Sequence, residues 1–122
     1  MKKRPISVTI VSWVYIVAGL GGIAAHATEF DPRHPFSNDA VLALIVRVLA
    51  IVAGAFMLRG ANWARWLAIV WIAYHVIFSS FQSVVAAGIH ALLLAVFAYF
   101  LFRRQANAYF LGIKAEAIDI AR

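Results

Sequence analysis

The sequence predicts an all-α integral membrane protein, a four-helix bundle with short loops and a C-terminal amphipathic tail. The chain of 122 residues is 65% hydrophobic and 13% charged, with a mean hydropathy of +0.88. Soluble domains are nearer half apolar and a quarter charged. The apolar residues also fall into four runs of about 20 residues, the length that crosses a bilayer as a helix. We therefore expect a single membrane domain, residues 1–122.

Turn-forming residues separate the four predicted spans. Pro5 precedes the first span and suits a helix start, where its missing amide hydrogen has no partner to lose. The polar loop 26–39 contains two prolines, which stop both neighbouring helices. Gly60 predicts a left-handed turn after the second span, and Asn62 is the predicted N-cap of the third. The predicted spans are 6–25, 40–58, 63–82 and 84–102, and the tail is 103–122.

The first apolar run also has features of a secretory signal peptide. It follows a basic head and ends at Ala25–Ala27, an A-x-A-like cleavage site. Its apolar stretch is longer than the usual run of about 7–15 residues and contains Trp13 and Tyr15. We therefore expect this segment to be retained as the first span.

The basic residues predict the orientation of the chain. Nine of them flank the spans on one side, and one, Arg33, lies on the other. Because cytoplasmic loops carry the excess of Lys and Arg, both termini are predicted to be cytoplasmic and the acidic loop to face outward. The nine are Lys2, Lys3, Arg4, Arg59, Arg65, Arg103, Arg104, Lys114 and Arg122.

The residue pattern argues against several classes of function. The chain has no cysteine, so it forms no disulfide, thiolate metal site or iron–sulfur cluster. Its basic residues lie between the spans rather than on one face, so we expect no nucleic-acid binding. Each Asp and Glu lies in a loop or the tail, and no nucleophile–base–acid set is present. We therefore expect no enzyme activity, and we assign no cofactor or metal site.

Five polar residues inside the predicted spans are the candidate ligand-binding residues. Counted from the cytoplasmic side at about 1.5 Å per residue, Arg47 lies about 18 Å deep and His90 about 20 Å. His75 and Tyr15 each lie about 15 Å deep on the same measure. These four residues come from four different helices and fall within about one helical turn of depth. Ser79 continues the polarity toward the outer side.

Arg47 is the one charged residue near the middle of a predicted span. A charge there costs about 2.5–3.5 kcal/mol on insertion scales, so we expect Arg47 to face other helices. Its partner is predicted to be an outer-loop carboxylate, a neutral acceptor such as Tyr15, Ser79 or a backbone carbonyl, or a bound anion. The outer-loop carboxylates are Glu29, Asp31 and Asp39.

Several functions are compatible with these polar residues. They could join the helices by hydrogen bonds, or form an outward-facing pocket in which Arg47 binds an anionic or polar ligand. Our main prediction is a non-enzymatic accessory or small-ligand-binding subunit. One alternative is a haem- or quinone-binding anchor, with His75 and His90 as ligands from neighbouring helices. Another is a minimal transporter or channel, which would have to be an oligomer because four short helices enclose little space.

Pairs of small residues four positions apart indicate where helices pack closely, because helix association in lipid depends on close contact. Each pair could face a helix of the same chain or of a second molecule. The expected partners are therefore the lipid bilayer and either further copies of the chain or a larger membrane protein. The pairs are Ala18 and Gly22, Ala50 and Gly54, and Ala91 and Ala95.

The tail has apolar residues at helical spacing, which predicts a surface helix that lies on the membrane or frays in water. Docking on a partner protein is the alternative. The apolar residues are Phe110, Ile113, Ala117 and Ile120.

Three motifs resemble those of small four-helix proteins of the bacterial inner membrane. The resemblance extends to about residue 110 and implies the same membrane topology. It implies no activity, because that group has none assigned. The motifs are Arg4-Pro5-Ile6-Ser7-Val8-Thr9-Ile10, the loop residues Glu29-Phe30 and His34-Pro35-Phe36, and Arg59-Gly60-x-Asn62-Trp63-Ala64-Arg65-Trp66.

Overall fold

A computed structural model describes residues 4–27, Arg33 and 38–112. All regular secondary structure in these residues is helical, which confirms the all-α class. Most of the predicted outer loop, and the predicted tail beyond Gly112, lie outside the described residues. The helices are α1 (Ile6–Ala27), α2 (Asn38–Leu58), α3 (Asn62–Ser80), α4 (Val84–Phe102) and α5 (Arg104–Leu111).

Three of the described helices are long and apolar enough to cross a membrane. Their apolar spans are Ile6–Ala25, Asp39–Leu58 and Val84–Phe102. The predicted third span, α3, has 19 residues but is not among them. Polar residues such as Arg65 and His75 lower its mean hydropathy.

Contacts between side chains show that consecutive long helices run in opposite directions. Between α3 and α4, Arg65 bonds to Leu101 near one end, and Ser79 bonds to His90 near the other. As the residue number rises along α3, it therefore falls along α4. These two contacts place α3 beside α4 over most of its length. The same reversal holds between α1 and α2 and between α2 and α3.

The turn between α2 and α3 contains the predicted left-handed glycine but not the predicted cap. Gly60 has φ 81°, and its amide donates to the Met57 carbonyl. The Ala61 amide donates to the Phe56 carbonyl, which completes a Schellman ending. This bond holds Ala61 extended, at φ −72° and ψ 117°, so Ala61 is the N-cap. The prediction that Asn62 caps α3 is therefore wrong, because the helix already begins at Asn62.

Two glycines bring α1 and α2 into close contact. A Cβ atom on Gly54 would lie 2.5 Å from the carbonyl oxygen of Ser12. A Cβ atom on Gly19 would lie 2.7 Å from the carbonyl oxygen of Arg47. Both distances are far shorter than van der Waals contact and involve backbone atoms, so a larger residue would force the helices apart.

The predicted small-residue pairs differ in where they lie. Ala50 and Gly54 are buried, and Gly54 packs against α1 of the same chain. Gly22 lies against the side chain of Arg47. Close packing at the remaining three residues would need another molecule, which stays a prediction. These residues, exposed on the surface of the single chain, are Ala18, Ala91 and Ala95.

We expect Gly54→Ala to destabilise the protein by about 1–3 kcal/mol, because the new methyl group overpacks the contact with Ser12. Gly21→Ala is the matched control, since a Cβ atom there meets nothing within 4 Å. The free energy of unfolding would be measured by titrating the protein in mixed micelles with sodium dodecyl sulfate. Equal stability of the two variants would contradict the proposed role of Gly54.

Candidate functional site

Tyr15 joins α1 to α3. Its side chain is 2% exposed, and its hydroxyl donates to the Ala68 carbonyl over 2.7 Å. Its ring centroid lies 5.3 Å from that of Trp71 and 5.5 Å from that of Phe97. The predicted depth placed Tyr15 among possible ligand contacts, but its hydroxyl is bonded to a neighbouring helix.

Trp71 is a second link between helices, and sequence analysis missed it. Its Nε1 donates to the Val46 carbonyl over 2.7 Å and so joins α3 to α2. Its ring also lies against His75, with the centroids 3.9 Å apart. A tryptophan within an apolar run gives no sequence signal for this role, because the acceptor is a backbone atom of another helix.

Three of the predicted residues, His75, Ser79 and His90, lie together between α3 and α4. Nδ1 of His75 is 2.9 Å from the Trp71 carbonyl, and Nδ1 of His90 is 2.8 Å from the Ala86 carbonyl. A carbonyl oxygen only accepts, so in the neutral rings both Nδ1 atoms are protonated and both Nε2 atoms carry a lone pair. Oγ of Ser79 lies 3.0 Å from Nδ1 of His90, and the two histidine ring centroids are 5.8 Å apart.

Arg47 lies at the contact of α1 with α2 and turns toward the start of α2. Its Nη1 donates to the Ala43 carbonyl over 3.0 Å. Its side chain crosses α1 at Gly22, where an added Cβ atom would lie 2.7 Å from Nε. One partner of Arg47 is thus a neutral backbone acceptor, which is among the predicted types. Two of the predicted carboxylate partners, Glu29 and Asp31, lie outside the described residues.

Hydrogen bonds divide the five candidate residues into three groups. The two histidines and Ser79 share the α3–α4 contact, Tyr15 bonds to α3, and Arg47 bonds within α2. The five side chains therefore do not all share hydrogen bonds, although the Trp71 ring packs against both Tyr15 and His75. The binding roles assigned to them stay predictions.

A second group of polar residues lies at the end of the helices near the chain start. We call it the arginine end, defined by Arg4, Arg59, Arg65, Arg103 and Arg104. Sequence analysis used these residues only to predict orientation, because a basic residue beside an apolar run is the usual signal for it. Their contacts give them structural roles as well.

Arg4 and Tyr109 meet at the C-terminus of α2. Nη1 of Arg4 donates to the Leu58 carbonyl over 2.8 Å, and the Tyr109 hydroxyl lies 2.7 Å from the same oxygen. This carbonyl is one of those that a helix leaves unpaired at its C-terminus. Burial raises the pKa of Tyr109, and the nearby Arg4 opposes this effect only in part. The phenol therefore stays protonated at neutral pH and can donate. The start of the chain and α5 are thereby held at the α2–α3 turn.

Arg65 fastens α5 to the long helices. It is only 4% exposed, although sequence analysis used it only as an orientation signal. Its Nη1 donates to the Leu101 carbonyl over 3.1 Å and to Oδ1 of Asn107 over 2.6 Å. Its Cζ lies 4.4 Å from the centroid of the Phe102 ring, a cation–π contact.

The described part of the tail does not lie as a separate surface helix. Its apolar residues face the long helices of the same chain, and α5 ends at Gly112, which has φ 69°. Of the predicted apolar stripe, α5 contains Phe110; Ile113, Ala117 and Ile120 lie outside the described residues. The buried residues of α5 are Ala106, Tyr109 and Phe110.

Comparisons with known proteins supply no function for this arrangement. The chain matches no protein-family model, no curated protein and no solved structure. The resemblance to small bacterial inner-membrane proteins stays a prediction, and function has to be argued from the residues themselves.

We expect Tyr15→Phe to destabilise the protein by about 0.5–1.5 kcal/mol, since it removes one buried hydrogen bond and leaves the ring in place. Tyr99→Phe is the control, because Tyr99 is 64% exposed. The same micelle titration measures both variants. A loss of stability no larger than that of the control would contradict the role of Tyr15 as a link between α1 and α3.

We expect Arg65→Met to loosen α5, so that its backbone amides exchange hydrogen about tenfold faster or more. Hydrogen–deuterium exchange with mass spectrometry would report this at residues 104–111. Arg59→Met is the control, since it removes the same charge from an exposed residue of the arginine end. Unchanged exchange in α5 would show that Arg65 does not hold it.

Proposed function

We propose that the chain is a four-span protein of the bacterial inner membrane, with both termini cytoplasmic, and that it acts as a non-enzymatic accessory subunit of a larger membrane protein. The observation that supports this most directly is that hydrogen-bond donors in the interior of the chain bond to neighbouring helices. Tyr15 and Trp71 donate to backbone carbonyls of neighbouring helices. These side chains hold the helices together, and such links favour a compact structural subunit over a polar path for a solute.

The pairing of α3 with α4 supports four spans. Two side-chain contacts, Arg65 to Leu101 and Ser79 to His90, extend along most of both helices. If α4 crosses the bilayer, α3, which runs alongside it, extends through the same depth of the bilayer. Arg65 and Ser79 of α3 are buried and bond to α4, which is the arrangement that lipid requires of polar residues in a span.

The exposed side of α4 supports the accessory role. Small residues recur there at Gly88, Ala91 and Ala95, and all three are exposed on the single chain. A Cβ atom on Gly88 would meet nothing within 4 Å. A helix of another membrane protein can approach such a surface closely, and close approach drives helix association in lipid.

Native mass spectrometry of the protein extracted from its own membrane tests this proposal. We expect one copy in a fixed ratio with a larger membrane protein, and we expect Ala95→Phe to remove most of that complex because it blocks close approach. Leu20→Phe, on the exposed side of α1, is the control and should retain it. A ring of identical copies would contradict the proposal and favour the transporter or channel.

The histidine pair favours a haem-binding anchor as the second candidate. Metal-ligating histidines commonly donate from their other ring nitrogen to a carbonyl, as the Nδ1 atoms of His75 and His90 do here. Haem binding predicts a Soret band that is lost in His75→Ala and in His90→Ala. Protein that stays colourless after haem-replete expression would exclude this candidate.

A further inference from the structure

We infer that His75 and His90 form a binding site for the hydroxyl groups of a lipid-soluble hydroquinone, at the contact of α3 with α4. The inference rests on the proposed membrane placement, because the ligand would reach the site from the bilayer. It goes beyond the accessory role, which makes no use of these two side chains. Their ring centroids lie 5.8 Å apart, and the rings are inclined by 30°.

The hydrogen bonds at Nδ1 fix what the two rings can offer a ligand. Nδ1 of His75 donates to the Trp71 carbonyl over 2.9 Å, and Nδ1 of His90 donates to the Ala86 carbonyl over 2.8 Å. Oγ of Ser79, 3.0 Å from Nδ1 of His90, accepts from the same proton. In both neutral rings Nε2 therefore has a lone pair and no proton. The pair accepts hydrogen bonds and so selects a ligand that brings donors.

Both Nε2 atoms are available to such a ligand. In the described part of the chain their rings form hydrogen bonds only through Nδ1, and neither Nε2 is an enclosed atom without a partner. Both histidines are half-buried, so each ring keeps an accessible edge. Because an acceptor without a partner is costly in lipid, a hydroxyl group from the bilayer would be bound there.

The surroundings of the pair favour a neutral aromatic ligand over a bare metal ion. The Trp71 ring lies against His75 at 3.9 Å, and the Tyr74 ring stands edge-on to His75 at 5.3 Å, both between centroids. These rings can pack with a further aromatic ring in the same ways. The positive charge of Arg47 also acts on His75, which disfavours a divalent cation. In the described residues no third histidine or acidic side chain joins the pair to complete a metal site.

Exposed apolar side chains beside the histidines give a ligand access from lipid. Tyr74 and Phe78 of α3 are 39% and 50% exposed, and Ile89 of α4 is 55% exposed. A hydroquinone with apolar substituents dissolves in the bilayer and carries two hydroxyl donors. Its oxidised form, the quinone, offers only acceptors and would leave both Nε2 atoms unpaired. The site therefore selects the reduced form.

The test uses the full chain in detergent micelles, with ¹⁵N-labelled histidine, at about pH 8, above the usual imidazole pKa of about 6.5. Trimethylhydroquinone is titrated under argon, and its dimethyl ether, which has the same ring without the donors, is the control ligand. Nuclear magnetic resonance follows the Nε2 signals, which single variants assign. We expect the hydroquinone to shift the signals of His75 and His90 with saturation, and the ether to shift neither.

Matched variants separate the acceptor from the ring. His75→Asn and His90→Asn each place an amide donor near the position of Nδ1 but remove the acceptor at Nε2. Each should weaken binding about fivefold, as followed at the remaining histidine. His75→Gln and His90→Gln also lose the ring, but they place an amide oxygen near the position of Nε2. Their affinity should stay within about twofold of wild type, because the acceptor is restored.

Three results would overturn the site. Equal shifts with the hydroquinone and the ether would show that the ring only partitions into the micelle. Equal affinity of the Asn and Gln variants would show that the Nε2 acceptors are not used, and a Soret band in purified wild type would assign the pair to haem. Membrane insertion is checked separately by carbonate extraction of the expressed protein, so that failure to insert counts against the proposed function and not against the histidine site.

Discussion

The close contact of α1 with α2 at Gly54 and Gly19 is the constraint on which the rest of the structure depends. Lipid supplies no hydrophobic force between helices, so contact has to come from close packing and hydrogen bonds. Without side chains at these glycines, the two backbones approach within the reach of a single methyl group. This spacing also lets the side chain of Arg47 lie across Gly22 and bond to the Ala43 carbonyl.

Side-chain hydrogen bonds in the interior complete the packing of the long helices. The Tyr15 hydroxyl joins α1 to α3, the Trp71 indole joins α3 to α2, and Ser79 joins α3 to His90 of α4. The Tyr15 and Trp71 donors would be costly to bury in lipid without a partner, and each finds one on a neighbouring helix, while Oγ of Ser79 accepts from protonated Nδ1 of His90. The same contacts explain how α3 accommodates more polar residues than the other long helices.

Two residues of the arginine end have structural roles. Arg4 and Arg65 are engaged by the C-terminus of α2 and by α5, so they help to hold the two ends of the described chain together. Residues that a sequence marks only as orientation signals can thus differ widely in burial and in contacts.

The sequence by itself determined the helical class, the approximate helix ends and the left-handed turn at Gly60, because apolar run length and glycine conformation are local properties. It also identified Tyr15, Ser79 and the histidines as polar groups inside the helices. Only the tertiary structure decided that Tyr15 bonds to Ala68, that Trp71 bonds to Val46 and that Arg65 is buried under α5. The acceptors of the first two are backbone carbonyls of other helices, and the burial of Arg65 depends on where α5 folds back. Neither has a signature in the local sequence, because both depend on how the helices rotate and pack against each other.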